Sequence, residues 1–509
     1  MSKYGRRGER HLLTEKEFVN LVKKVAKADA HGQLEKIKRL LMDTGRENMP
    51  PSKRWFYDDV MANISAQLGE IELSVKHYKM EMEHIEYVPY EVRIQSYSNL
   101  LMYLHYREYD NAEMNYWHKG YNRLFADIKY YHNYVSAKKN TKSEKIRIGY
   151  LSTDFFGHIV TNFILQLFLY YNRQIFEVFV YQAGAETDEV TEWLKDMVDL
   201  WQNLATCSAR EAAARIHADS VDILVDLSGH TRGGRTLQIA AYHPAPIQIC
   251  GIGWFDTTGL EVMDYFLTDI YCHTLENEGD FSEKMLCLPD SHFCYTPGEA
   301  VLSCDNVHQE NDNIVFGCFN NFAKITDKML VIWRDVLQKV PDAKLYLKNV
   351  SRDEIHVEKM LQRLQELDFP INRCIVEAGE AKYLEKYLKI DIALDTYPYP
   401  GGGTTCEAVF MGCPVISMYG RRHGSRFGLS ILSNIGLGEL ASDTQEGYVE
   451  KAVALAMDKK LLTLLHKNLR AMMQKSPLMD GKGYTKAVEV KYLQVWQEFS
   501  DRCRITNYK

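Results

Sequence analysis

The segment Leu394–Met418, LDTYPYPGGGTTCEAVFMGCPVISM, contains an apolar strand, a turn rich in Pro and Gly, and the start of a helix. The strand ends at Asp395, and glycines in the turn let the backbone approach a ligand closely. Thr404 is a candidate cap for the helix, and Glu407 in its first turn could accept from ribose hydroxyls. Because a helix start presents unpaired N–H groups, the segment predicts a phosphate-binding turn. The alternative is a plain tight turn in which Glu407 serves only the helix dipole.

Strand-like runs alternate with helical segments on both sides of the chain's middle. The first half contains KIRIGYLS, FEVFVYQ, VDILVDLSG, PIQICGIG, YFLTD and KMLCLP, and the second contains NIVFGCFN, AKLYLKN, CIVEA, DIALDTYPY and CPVISMYG. This alternation predicts parallel sheets covered by helices. A polar segment at 297–313 separates the halves. We therefore expect two doubly wound α/β domains that face each other and bind ligands at the carboxyl ends of their strands.

The first 140 residues have a different pattern. They contain few glycines and are rich in Leu, Met, Tyr, Glu and Lys at helical spacing. The stretches QLGEIELSVKHYKMEM and HYREYDNAEMNYWHKG look alike when Tyr78 is aligned with Tyr116, 38 residues further on. That offset is close to the roughly 34 residues of a tetratricopeptide unit. The region is either a set of degenerate tetratricopeptide hairpins or a plain helical domain, and both would offer a face to a polypeptide partner.

These patterns predict four parts of the chain. A helical region that binds an acceptor or partner covers 1–140, an α/β domain covers 145–300, a second α/β domain that binds the nucleotide covers 310–485, and a C-terminal helix covers 486–509. The polar stretch KKNTKSEK, at 138–145, is the predicted linker after the helical region.

Composition excludes several classes of protein. Among 509 residues, 61 Lys and Arg stand against 68 Asp and Glu, so the net charge of −7 gives no electrostatic case for nucleic acid or anionic membranes. No apolar run approaches the roughly 18 residues of a membrane helix, and the start has no apolar core typical of a secretory signal. Eleven cysteines without CxxC pairs or zinc-finger spacing indicate free thiols. We therefore expect a cytoplasmic protein.

Two further motifs follow predicted strands. FGCFNNFAKITDKMLVIW places Lys324 near a helix start, where a lysine can neutralise a diphosphate as a point charge. GYLSTDFFGHIVTNF places Asp154 and His158 after the first strand of the α/β region. A histidine there could act near neutral pH as a general base or as a hydrogen-bond donor to a substrate. The plainer alternatives are a solvated lysine and a structural histidine.

Two glycine-rich loops also follow strands. VDILVDLSGHTRGGRT contains His230 and Thr231, and PAPIQICGIGWFDTTG contains Gly253. Each loop could equally be a solvated or structural turn.

No HExxH motif or carboxylate cluster predicts a metal site, so a donor diphosphate would have to be neutralised by Lys324 and by the backbone N–H groups of 401–405.

Taken together, and in their order along the chain, the five segments that begin at Gly149, Val221, Pro244, Phe316 and Leu394 resemble the protein O-GlcNAc transferases of glycosyltransferase family 41. They are most similar to bacterial members, which carry a repeat domain ahead of the catalytic part. The resemblance covers 146–480 well and extends loosely into the helical region. It implies a GT-B fold of two facing Rossmann-like domains, a UDP-sugar donor, and metal-independent inverting transfer to a protein Ser or Thr hydroxyl.

The resemblance also implies roles for individual residues. His158 matches the active-site histidine of an Asp-Phe-x-x-His motif, and Lys324 matches the lysine that holds the donor phosphates. The other matches are Asn321 as a polar donor contact, Ala378 as a backbone contact to the base, Tyr383 as a ring against uracil, Glu407 at the ribose, Gly402, Gly403 and Thr404 on the phosphate turn, and Thr231 and Gly253 on sugar-facing loops. Tyr383 and Glu407 are expected to act independently, because they touch different parts of the nucleotide. Pro400 and Gly403 depart from the Asn and Thr common in bacterial members, so one hydroxyl contact is lost.

The sequence thus predicts a cytoplasmic transferase that uses UDP-GlcNAc, needs no cofactor, and modifies a protein, for which flagellin is one candidate. His158 is the candidate base and His230 the reserve, while a donor phosphate oxygen or a water relay stays open. Three alternatives remain: an N-glycosyltransferase that transfers glucose from UDP-glucose to Asn, a UDP-sugar 2-epimerase, and an inactive helical-repeat scaffold.

Overall fold

A computed structural model describes residues 12–132, 134, 144–304, 307–309 and 311–506. The predicted linker lies largely outside the described residues, as do three positions of the predicted polar break. The described chain forms a helical region, two parallel α/β sheets and a long final helix.

The helical region is built from short helices that pack on their neighbours in sequence. They are α1 (Glu15–Asp29), α2 (Leu34–Thr44), α3 (Arg54–Gln67), α4 (Ile71–Met82), α5 (Tyr90–Leu104) and α6 (Asn111–Tyr121). Packing of each helix on the next is typical of helical repeats. The two aligned tyrosines differ, because Tyr78 on α4 is fully buried whereas Tyr116 on α6 is 63% exposed. The second unit therefore does not reproduce the packing of the first at this position.

The first sheet contains seven parallel strands. They are β1 (Ile146–Ser152), β2 (Phe176–Gln182), β3 (Leu200–Asn203), β4 (Ile223–Asp226), β5 (Ile247–Cys250), β6 (Tyr265–Asp269) and β7 (Lys284–Leu288), in the order β3-β2-β1-β4-β5-β6-β7. Its helices are α7 (Ile159–Tyr170), α8 (Glu189–Lys195), α9 (Ala209–Ala218) and α10 (Arg235–Ala240). This is the Rossmann order with one added strand, and it leaves a crevice where the order reverses between β1 and β4.

The second sheet repeats this arrangement. After α11 (Glu299–Leu302) come β8 (Val315–Cys318), β9 (Lys344–Lys348), β10 (Cys374–Glu377), β11 (Ile392–Leu394), β12 (Val415–Met418) and β13 (Ala441–Ser442), in the order β10-β9-β8-β11-β12-β13. Its helices are α12 (Asp327–Lys339), α13 (Ile355–Glu366), α14 (Gly403–Phe410), α15 (Phe427–Asn434), α16 (Gln445–Met457) and α17 (Lys459–Gln474). Two Rossmann-like sheets behind a helical region confirm the predicted GT-B fold class.

The last helix, α18 (Gly481–Thr506), returns to the first α/β domain. It begins five residues before the predicted boundary and packs on α7. The Tyr492 hydroxyl lies 3.3 Å from that of Tyr150 on β1, so this helix ties the end of the chain to the first sheet. Within the described part of the chain, no helix combines the length and the apolar character needed to cross a bilayer.

A buried ion pair joins all three parts of the molecule. Asp256, in the loop after β5, accepts hydrogen bonds from Arg422 Nε at 2.6 Å and Nη2 at 2.9 Å. Arg422, from the second domain, also donates from Nη1 to Asn115 Oδ1 on α6 at 3.0 Å. Burial pushes the pKa of Asp256 upward, but the charge of Arg422 outweighs it and holds that pKa well below its ordinary value. The pair is therefore fully charged in the interior.

Candidate active site

The carboxyl ends of both sheets face one cleft of about 400 Å³. Nine of the eleven predicted site residues line it: His158, Thr231 and Gly253 from the first domain, and Lys324, Tyr383, Gly402, Gly403, Thr404 and Glu407 from the second. Topology explains this convergence, because each residue follows the carboxyl end of a parallel strand, and these ends lie along one edge of each sheet.

The phosphate turn is organised by a buried carboxylate. Asp395, directly after β11, accepts a hydrogen bond from Gly401 N at 2.8 Å. Helix α14 then begins with Gly402 as its N-cap, and no side chain caps it. The prediction that Thr404 caps this helix is wrong, because its hydroxyl instead donates to Asn320 Oδ1 at 2.8 Å. The first N–H groups of α14 are thus left for an anionic ligand.

At two glycines of the cleft, a neighbouring segment comes so close to the backbone that a side chain would not fit. A Cβ on Gly403 would lie 2.4 Å from side-chain atoms of Ile159 on α7, so the phosphate turn touches the opposite domain. A Cβ on Gly253 would lie 1.7 Å from the carbonyl oxygen of Leu227. Gly402 differs, since nothing approaches its Cβ position closer than 4.0 Å. A side chain at Gly402 would therefore project into free space beside the cleft.

Lys324 lies beside the phosphate turn. It ends a single turn of 3-10 helix after β8, and its Nζ lies 3.8 Å from the ring centroid of Tyr399 and 3.5 Å from the Pro400 carbonyl oxygen. The side chain is half-buried, which argues against the solvated lysine of the alternative. Burial lowers the pKa of Lys324 to about 8, so it is mostly charged at neutral pH.

Asn321 and Ala378 are not among the residues that line the cleft. Asn321 Oδ1 accepts from Ala323 N at 3.0 Å, and the residue borders a separate groove between the helical region and the second domain. The Ala378 carbonyl accepts from Lys348 Nζ at 2.8 Å and is already paired. Their contacts with a donor remain predictions.

Tyr383 and Glu407 form one unit. The Tyr383 hydroxyl lies 2.8 Å from each carboxylate oxygen of Glu407 and donates to that group. Burial raises the pKa of Glu407 to about 7, although the hydrogen bond from Tyr383 opposes the shift. The hydrogen bond argues against the expectation that the two residues act independently, because removing either side chain changes the environment of the other.

We expect the effects of Tyr383→Ala and Glu407→Ala on UDP binding to be less than additive. Loss of the ring should weaken binding a few-fold to tenfold, from the ~0.5–1.5 kcal/mol of an aromatic contact. Neighbouring groups in one hydrogen bond typically couple by roughly 0.5–3 kcal/mol. Calorimetric titration of UDP into both single variants and the double variant measures the coupling.

Tyr383→Phe is the matched control, because it keeps the ring and removes only the hydroxyl. Additive losses would contradict the coupling. An unchanged UDP affinity with a lower melting temperature would mean that Tyr383 only packs its segment against the sheet.

His158 is the N-cap of α7, and its Nδ1 accepts a hydrogen bond from Val160 N at 3.3 Å. Burial lowers the pKa of His158, although nearby Asp154 raises it, so the ring is neutral at pH 7. Because Nδ1 is the hydrogen-bond acceptor, the hydrogen of the neutral ring is on Nε2, which is therefore a hydrogen-bond donor. The geometry therefore suits a hydrogen bond from His158 to a ligand better than removal of a proton.

His230 does not fit a catalytic role. It is 1% exposed, its Nε2 lies 2.8 Å from the Thr258 carbonyl oxygen, and its Nδ1 lies 3.1 Å from Ser98 Oγ on α5. Burial lowers its pKa to about 3. Both nitrogens are engaged outside the cleft, so the reserve assignment as a base is wrong.

Sequence reasoning missed the aromatic wall of the cleft. Phe255, Phe293, Tyr399 and Phe427 line it, and all four lie after strands or at helix starts. Aromatic residues at strand ends were a usable signal, but core packing produces the same pattern. Two charged residues named in the motifs, Asp154 and Arg232, also line the cleft.

If the cleft takes a UDP-sugar, we expect the free protein to bind it best between pH values of about 7 and 8, the pKa values of Glu407 and Lys324. Below this window Glu407 gains a proton and becomes a weaker acceptor for ribose hydroxyls; above it Lys324 loses its charge. Affinity for the UDP-sugar measured from about pH 6 to about pH 8.5 tests this, because neither the diphosphate diester nor the uracil ring loses a proton in that range. Glu407→Gln should remove the acidic limb and Lys324→Ala the alkaline limb. A flat wild-type profile would contradict the assignment.

The fold and this cleft are those of the GT-B class of glycosyltransferase. The chain belongs to glycosyl transferase family 41, whose family model matches residues 124–301 and 295–488.

Curated relatives are similar over the same part of the chain. A Hordeum vulgare protein described as "Probable UDP-N-acetylglucosamine--peptide N-acetylglucosaminyltransferase SPINDLY" is 35% identical over 396 residues, covering 76% of this chain and 41% of the relative. The SEC protein of Arabidopsis thaliana is 28% identical and covers 71% of this chain and 38% of that relative. The chain thus spans about two fifths of the length of these plant proteins.

A solved structure shows the same fold over nearly the whole chain. A mutant of the Thermobaculum terrenum O-GlcNAc transferase superposes with a TM-score of 0.80 at 24% identity, covering 97% of this chain and all of that chain. The match includes the helical region as well as both sheets.

Proposed function

We propose that this chain is an inverting glycosyltransferase that transfers GlcNAc from UDP-GlcNAc to Ser or Thr hydroxyls of a protein. One observation carries the proposal: a free helix start, the ammonium of Lys324 and the Tyr383–Glu407 pair share a single cleft. The first two suit a diphosphate and the third a nucleoside. Family membership and the printed names of the plant relatives support the donor and the peptide acceptor.

In the proposed reaction an acceptor hydroxyl attacks the anomeric carbon. A new carbon–oxygen bond forms as the bond from that carbon to the donor phosphate breaks. Lys324 and the N–H groups at the start of α14 stabilise the charge that develops on the departing UDP. His158 Nε2 already carries a hydrogen, so it does not take the proton of the acceptor hydroxyl. That proton passes to a phosphate oxygen of the UDP-sugar or to a water relay, while His158 orients a substrate oxygen.

We expect turnover to be unaffected by EDTA and not raised by Mg²⁺ or Mn²⁺ during an assay. The reason is that an ammonium and helix N–H groups already face the proposed diphosphate position. Initial rates with EDTA and with each cation measure this. Loss of activity in EDTA that either cation restores would contradict the proposal.

Donor choice separates the proposal from its rivals. Release of UDP should be faster with UDP-GlcNAc than with UDP-glucose, and UDP-GlcNAc should win in competition. Preference for UDP-glucose would favour the N-glycosyltransferase. A free or epimerised sugar without any modified protein would favour the epimerase, and failure to bind UDP in calorimetry would favour the inactive scaffold.

We also infer that the chain is of the bacterial type and acts in the cytoplasm, with its helical region binding the acceptor. The motifs of the catalytic part are most similar to those of bacterial members, and the Thermobaculum terrenum O-GlcNAc transferase has the same fold. All eleven cysteines are free thiols, which suits a reducing compartment. Flagellin remains one candidate acceptor.

A further inference from the structure

Three metal-ligating side chains meet at the seam between the two α/β domains. Cys272 follows β6 and His292 follows β7 in the first domain, while His423 lies between β12 and α15 in the second. Each is at most 1% exposed, and the sulfur and one nitrogen of each ring lie within 4.8 Å of one another. The three residues are far apart in the sequence, so no metal-binding motif with a fixed spacing indicates this cluster.

One ring nitrogen of His292 is free of hydrogen bonds within the described part of the chain. Its Nδ1 donates to the carboxylate of Asp269, which fixes the tautomer and leaves the lone pair on Nε2. Nε2 is buried and has no hydrogen-bond partner among the described residues. A carboxylate behind a histidine is the usual outer partner of a metal-binding imidazole.

His423 is oriented in the same way. Its Nδ1 lies 3.0 Å from the Phe255 carbonyl oxygen and donates to it, so its lone pair is on Nε2, which accepts from Thr268 Oγ1 at 2.8 Å. The ring centroids of His292 and His423 are 5.3 Å apart. Two imidazoles bound to one tetrahedral zinc by bonds of about 2.0–2.1 Å have centroids roughly 5.2 Å apart. Binding of a metal ion to Nε2 requires the Thr268 hydroxyl to leave this hydrogen bond.

Charge also suits a dication here. Metal binding would make Cys272 a thiolate, and with the carboxylate of Asp269 it would supply two negative charges. The guanidinium of Arg426 also acts on Cys272, and it is held by hydrogen bonds to the carbonyl oxygens of Tyr271 and Gly420. Thiolate with two imidazoles is a ligand set typical of zinc.

Two similar groups are less suited. His308 and His466 stack with their planes 5° apart, and parallel rings cannot aim in-plane lone pairs at one ion. In the group of His105, His118 and Asp256, the carboxylate already holds a buried guanidinium, whose charge would repel a cation.

We propose that Cys272, His292 and His423 form a zinc site that ties the two α/β domains together, with one position left for a water molecule. The site lies directly behind the cleft, whose wall includes Phe255 and Phe293. The Phe255 carbonyl oxygen accepts a hydrogen bond from His423, and Phe293 follows His292 in the sequence. Its role is structural and separate from the transfer reaction. With all three ligands buried, this zinc should exchange slowly and withstand brief exposure to EDTA.

Metal analysis of the full chain tests the proposal. After dialysis against zinc and removal of loosely bound metal, we expect about one zinc per chain. Cys272→Ser and His292→Ala should each retain under about a tenth of that amount, whereas Cys413→Ser, a buried thiol in the second domain, should retain it all. Absence of stoichiometric zinc from the wild type, or its retention by both variants, would overturn the site.

Cobalt substitution gives a second readout that needs no variant. The wild-type protein loaded with Co²⁺ should show the intense bands of tetrahedral cobalt together with a thiolate-to-cobalt charge-transfer band. A weak octahedral spectrum without that band would overturn the assignment, even if Cys272→Ser and His292→Ala failed to fold.

Discussion

Lys324→Ala is expected to lower turnover by about 10²- to 10³-fold while leaving the protein folded. The ammonium of Lys324 lies against the Tyr399 ring and next to the carbonyl of Pro400, facing the helix start that would hold the donor phosphates. Without it, the charge that develops on the departing diphosphate loses its cation. Initial rates at saturating donor, together with a melting curve, measure the effect.

Lys339→Ala is the matched control, because Lys339 is an exposed lysine at the end of α12 in the same domain. It should leave turnover unchanged. Near-normal turnover by correctly folded Lys324→Ala protein would remove this lysine from the site.

Removing either partner of the Asp256–Arg422 pair should cost about 3–5 kcal/mol of the free energy of unfolding. Both side chains are only 1% exposed, so Asp256→Ala or Arg422→Met takes from a buried charge the counter-charge that lies closest to it, at 2.6 Å. The next oppositely charged group at Arg422 is Asp280, at 3.9 Å. The pair also connects the loop after β5 to α6 through Asn115. Denaturant unfolding of each variant gives the loss directly.

The double variant Asp256→Ala/Arg422→Met is the control for this interaction. It should lose much less than the sum of the two single losses, since neither charge is left unpaired. Single losses below about 1 kcal/mol, the range of exposed ion pairs, would contradict the buried pair.

Sequence patterns predicted most strands because burial determines their composition. Runs such as KIRIGYLS and VDILVDLSG become the buried strands β1 and β4. The described residues also contain β3 and β13, which no apolar run indicated. Both are at sheet edges: β3 has half-exposed side chains, and β13 is only two residues long.

The positions of the site residues were predictable, but their partners were not. Strand ends in a doubly wound sheet meet at one edge, so placing His158, Lys324 and Glu407 after strands was enough to bring them into one cleft. The hydrogen bond between Tyr383 and Glu407 depends on side-chain directions that periodicity does not encode.

Two local assignments failed for related reasons. Helix α14 begins two residues earlier than a Thr404 cap requires, with Gly402 as its N-cap, and the hydroxyl of Thr404 turns to Asn320 of another segment. His230 looked available in a glycine-rich loop, but α5 of the helical region covers it. A contact from a distant segment is invisible to local sequence reasoning.

The most direct test is intact-mass analysis of host proteins, flagellin included, after co-expression with the wild-type chain or with Lys324→Ala. We expect the wild type to add N-acetylhexosamine to a protein, alkaline β-elimination to release it from Ser or Thr, and Lys324→Ala to add almost none. Addition of a hexose to Asn, or turnover of UDP-GlcNAc without any modified protein, would contradict the proposed function.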